Sequence, residues 1–178
     1  MYYKIIEYFG PYDNRWKQYL EWCNLELTSF DSIDGVLCPG LFEPQTEEDW
    51  QNCVNEDYKL NLITNLDYAK SILSKYNNAV IVGVDIIDSI KYKLEESLLG
   101  YDIIDSYCDI SLLTNWKKDK DEENLFSKYI QDNGLIHNLK TAMKIRDMLR
   151  EGFSEDSHTE NCKVWAIYKI NTVLPPGT

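Results

Sequence analysis

The stretch AVIVGVDI (79–86) constrains the fold of this chain more than any other. It is almost continuously apolar and rich in β-branched residues, which predicts a strand. A strand with one wet face alternates. This one does not, so it needs cover on both faces. With 178 residues, 44% of them hydrophobic, the chain has material for such layers in one domain and too little for two of ordinary size.

Neighbouring segments supply the rest of the sheet. Tyr2–Tyr8 and CKVWAIYKI (162–170) carry aromatic and β-branched residues and predict strands. Leu25–Ile33 alternates in part and reads as another strand, followed by the turn signal Asp34-Gly35. Tyr58–Thr64 reads as a short strand.

Helical spacing appears between them. Trp16, Tyr19, Leu20 and Cys23 share one face of a helix that Asn14 can cap. Leu66, Ala69, Ile72, Leu73 and Tyr76 form a stripe after Thr64 or Asn65, and Leu139, Ala142, Met143, Leu149 and Phe153 form another on Asn138–Glu151. Thr46 starts a short helix with Glu47, Glu48 and Asp49 in its first turn, where the helix dipole favours negative charge. Asp88–Leu99, stopped by Gly100, and Asp121–Gln131 read as helices. Period alone leaves both strand and helix open for 101–113. The pattern predicts an α+β domain over 1–170, one mixed or mainly antiparallel sheet with helices packed on it. The proline-rich tail, 171–178, is expected to be irregular.

Charge is the second strong feature. The formal net charge is −12 and the pI about 4.6. GLFEPQTEEDWQNCVNED (40–57) holds six carboxylates and no base, and ten Asp or Glu separate Lys17 from Lys59 with no Lys or Arg between. The bases gather later, at Lys117, Lys118 and Lys120 and at Lys140, Lys144, Arg146 and Arg150. Such a chain repels nucleic acid and anionic membranes and attracts basic proteins. No apolar run reaches the ~18 residues of a membrane span, and MYYKIIEYFG lacks the pattern of a signal peptide. The five cysteines are odd in number and form no CxxC pair, which predicts free thiols in a reducing compartment. A cytoplasmic location is expected.

Motifs for chemistry are sparse. GxGxxG, GxxxxGK[ST] and GxSxG do not occur. His137 sits before a helix and reads as structural. His158 lies in EDSHTE beside Glu155, Asp156 and Glu160, without the spacing of HExxH, and reads as part of a solvated loop. Cys162 reads as a structural cysteine at a strand start. No metal or cofactor is predicted. Asp34 followed by Asp57-Tyr58-Lys59 loosely matches metal-dependent nucleases that use a strand aspartate and an acidic-x-Lys pair, yet this region lacks the bases that phosphates need. Asp85, Asp88, Asp102, Asp105 and Asp109 form a second carboxylate group; such aspartates more often cap helices and strand ends. A metal-dependent hydrolase or nuclease built on these aspartates is therefore the alternative.

The acidic segment also carries aromatics: Trp16, Trp22, Trp50 and Tyr58 lie in or near it. Buried aromatics anchor interfaces while charges steer the encounter. The predicted partner-binding residues are Glu43, Glu47, Glu48, Asp49, Trp50, Glu56 and Asp57, with Glu155 and Asp156 in the acidic loop 154–161 as the second place. LLGYDIIDSYCDISLLTNW (98–116) and CKVWAIYKI (162–170) are similar to segments of immunity proteins from bacterial toxin–immunity systems, such as contact-dependent inhibition. That resemblance implies a non-enzymatic protein without cofactors that binds and neutralises a cognate toxin in the cytosol; the acidic charge points to a basic, nuclease-type toxin, whose active or substrate-binding surface it would occlude. A DNA mimic that blocks a host defence protein would use the same charge. Reversing Glu47, Glu48 and Asp49 together is expected to weaken partner binding with the fold intact, and association is expected to be salt-sensitive.

Overall fold

A computed structural model describes residues 1–7, 14–23, 25–29, 31, 33–34, 38–54, 61–87, 97–105, 110–114, 124–152 and 157–171, the side chain of residue 16 excepted. The described strands are β1 (Tyr2–Glu7), β2 (Cys53–Val54), β3 (Leu62–Ile63), β4 (Ala79–Ile87), β5 (Leu98–Ile104) and β6 (Lys163–Lys169). They form one sheet in the order β2-β3-β1-β4-β6-β5, and every ladder is antiparallel. The described α-helices are α1 (Asn14–Cys23), α2 (Glu47–Gln51), α3 (Leu66–Leu73), α4 (Leu139–Gly152) and α5 (Ser157–Glu160). The fold is α+β.

The apolar run of 79–87 takes the place its composition requires. β4 lies inside the sheet, between β1 and β6. Because side chains alternate along a strand, Val80 and Val82 face one layer and Ile81 and Ile87 the other. The first layer holds Tyr19, Leu20 and Cys23 of α1 together with Ile6. On the second, Tyr68, Ala69, Ile72 and Leu73 of α3 pack against Ile5, Ile63 and Ile81. Further along that face, Ala142, Met143, Ile145 and Leu149 of α4 pack against Tyr101, Ile103, Val164 and Ala166. Helix starts follow their caps. Asn65 accepts from Asp67 and Tyr68 N–H, and the Asn138 side chain accepts from Thr141 N–H at 3.2 Å.

The long outer edge of β5 is covered, which removes a row of unpaired backbone groups. Tyr101 and Ile136 exchange two backbone hydrogen bonds of 2.8 Å, and Leu112 N–H donates to Ile103 O at 2.8 Å. Gly100 makes this closeness possible. Its φ is 155°, and a Cβ there would sit 2.8 Å from Leu135 Cβ and 3.0 Å from Ile136 O. Gly100→Ala is expected to cost about 2 kcal/mol through overpacking against backbone. Urea unfolding measures it; a change under about 0.5 kcal/mol would show that the 134–136 segment yields freely.

Several segments differ from the expectation. Leu25–Ile33 is no strand among its described residues: Thr28 and Ser29 N–H donate to Asp132 O, and Asp31 N–H to Asn133 O, so these donors serve a neighbouring turn instead of a ladder. Leu98–Gly100 belong to β5, paired with Tyr168 and Ile167, so Gly100 stops no helix; Ser97 lies in a turn, and 88–96 of that expected helix lie outside the described residues. Within Asp121–Gln131, the described part has only one 3₁₀ turn, Ser127–Tyr129. There the Asn124 side chain takes Phe126 N–H at 2.9 Å and gives its amide to Leu113 O at 2.9 Å, competing with helix bonds. The open segment 101–113 is strand to Ile104, and its described remainder, 105 and 110–113, is not helical. No helix among the described residues is long and apolar enough to cross a membrane.

Candidate functional site

The predicted acidic surface is built on α2. Thr46 caps it: Asp49 N–H donates to Thr46 Oγ1 at 3.2 Å, and Thr46 N–H donates back to Asp49 Oδ2 at 2.7 Å, a reciprocal capping box. Gln45 N–H adds a bond to Asp49 Oδ2 at 2.9 Å, and the Tyr68 hydroxyl of α3 donates to Asp49 Oδ1. Asp49 is thus turned inward, 8% exposed, and ties α2 to α3. The Tyr68 hydrogen bond, then the two backbone donors, hold its carboxyl well below the usual range.

With Asp49 inside, its neighbours point out. Glu43, Glu47 and Glu48 are exposed, and Trp50 is 50% exposed. The charges stay close to α3: burial raises the Tyr76 phenol first, and the Asp49 and Glu43 charges raise it further. Burial also raises Tyr68, followed by its bond to Asp49, with Glu48 adding a smaller push. Tyr68 therefore ties the acidic helix to α3 through Asp49. Tyr68 was absent from the predicted stripe, although it stands four residues before Ile72, on the same helical face.

Of the other predicted partner-binding residues, Glu56, Asp57, Glu155 and Asp156 lie outside the described residues. Residues 157–160 of the second acidic place form α5 instead of a loop. Trp22 is 45% exposed but belongs to α1, in the layer on the other side of the sheet from α3. Tyr58 and the Trp16 side chain are outside the described residues. On α4, Arg146 pairs with Asp147 and Arg150 Nε donates to Cys162 O at 3.1 Å, whereas Lys140 and Lys144 are exposed.

The carboxylates of the alternative reading are distributed differently from the expectation. Asp85 pairs across the sheet with Ala166, and Asp102 with Trp165, so the two lie on opposite faces. Asp85 accepts an ion pair from the Met1 amino group at 2.8 Å. Asp105 pairs with His158 Nδ1, which makes His158 more than a loop residue. Asp57, Lys59 and Asp88 are outside the described residues. Instead, Asp34 and Asp102, both 0% exposed, meet at Ser111: its N–H lies 3.3 Å from Asp34 Oδ2 and its hydroxyl donates to Asp102 Oδ1 at 2.7 Å. Tyr19 donates to Asp34 Oδ2 at 2.6 Å, and Thr114 Oγ1 lies 3.3 Å from the same oxygen. Lys4, 3% exposed, stacks its ammonium 5.9 Å from the Trp165 ring centre on this same face. Among the described residues, no group of three or more His, Cys, Asp or Glu is placed to hold a metal ion.

Burial and the Asp34 charge push Tyr19 far up, and the same causes push Cys38 from 9.0 up to about 12. Both groups stay protonated in the fold at pH values where the unfolded chain ionises. Their stabilisation is complete below the unfolded value and is lost as pH rises through the folded one. The urea midpoint is therefore expected to fall from about pH 9 upward, less steeply in Cys38→Ala. A midpoint flat to about pH 11 in both proteins would contradict this environment.

No protein-family model matches the chain, and neither a curated protein nor a solved structure shows significant similarity to it.

Proposed function

We propose that this chain is a cytoplasmic, non-enzymatic binding protein that captures a basic bacterial protein through the outer surface of α2, in the manner of an immunity protein neutralising a nuclease-type toxin. The observation that carries this reading is the division of labour on α2. Asp49 faces inward and anchors the helix, while Glu43, Glu47 and Glu48 stand exposed with the half-exposed indole of Trp50. Exposed negative charges in the same segment as a large exposed aromatic suit a basic protein: the charges speed encounter and the indole supplies area to bury. The net charge of −12 adds a long-range field of the same sign. Asp34, Asp49 and Asp102, by contrast, are buried and hydrogen-bonded within the fold.

Capture on immobilised protein from the native cell, followed by elution with rising salt, tests the reading. One basic polypeptide near stoichiometry is expected. Expressed alone it should arrest growth, and co-expression of this chain should restore it. Recovery of a basic polypeptide whose toxicity this chain leaves unchanged would reject neutralisation while keeping binding. Recovery of none would reject both.

A further inference from the structure

We draw no further inference here: the strongest candidate, the shallow hollow along the outer face of α4 between Lys140, Lys144 and the exposed Met148, mixes those lysines with Asp147 and Glu151, and nothing in the structure shows what covers it.

Discussion

Asp34→Ala is expected to destabilise the fold by about 3 kcal/mol or more. The carboxylate is fully buried, and Oδ2 alone gathers the Tyr19 hydroxyl, the Thr114 hydroxyl and Ser111 N–H. Alanine removes the acceptor and leaves these polar groups in a dry interior, at roughly 1–3 kcal/mol for each one that finds no other partner. The damage spreads because the donors belong to different parts of the chain: Tyr19 lies on α1, and Ser111 and Thr114 follow β5. Asp34→Asn is the informative companion. An amide oxygen placed at the Oδ2 position keeps the same three donors, so the loss should be clearly smaller. Tyr19→Phe should cost about 1.5–3 kcal/mol, the worth of a hydrogen bond to a buried charged acceptor. At this chain length a loss of about 3 kcal/mol lowers the melting temperature by roughly 10 °C. Equal stability of Asp34→Ala and the parent would mean that the buried network contributes nothing to holding these segments together.

The second large effect falls on binding. Reversing Glu47 and Glu48 together to lysine is expected to weaken capture of the basic partner about tenfold or more, roughly 1.4 kcal/mol, and to reduce its salt dependence. Both side chains are exposed, so the fold loses only the favourable placement of acids in the first helical turn, about 0.3–1 kcal/mol each. Trp50→Ala should weaken binding by about 2 kcal/mol if the indole is an interface anchor. Asp49 does not belong in this set. Its reversal would break the capping box and the bond to Tyr68, so lost binding would report a lost helix. The expectation that three acids can be reversed with the fold intact is thereby narrowed to two.

The sheet was legible where composition had only one solution. The apolar run of β4 demanded two covered faces, and the aromatic and β-branched ends of the chain became its neighbours β1 and β6. Helices α3 and α4 were legible through their stripes and caps. The turn-bound course of 28, 29 and 31 was not, because its partners at 132 and 133 lie about a hundred residues away and periodicity carries no such information. The buried structural role of Asp34 was hidden for the same reason. Its partners lie 15, 77 and 80 residues off, and a lone aspartate before glycine reads as a turn. Lys4 sits in a strand whose inner face could be assigned only once Trp165 was known to lie on it. Asp49 was different, because the sequence did carry its signal. Thr46 followed three residues later by an acid is the spacing of a capping box, and it separates Asp49 from the otherwise similar Glu47 and Glu48.

On the proposed reading, the exposed acids of α2, Glu47 and Glu48, capture a basic protein. The most direct measurement is a side-by-side capture from the native cell on the parent chain and on E47K/E48K, each washed at low salt and eluted in rising salt. Retention of a basic polypeptide by the parent, with elution at clearly lower salt or loss altogether from the variant, is the predicted result. A partner that elutes from both at the same salt concentration would contradict the claim and move the interface away from α2.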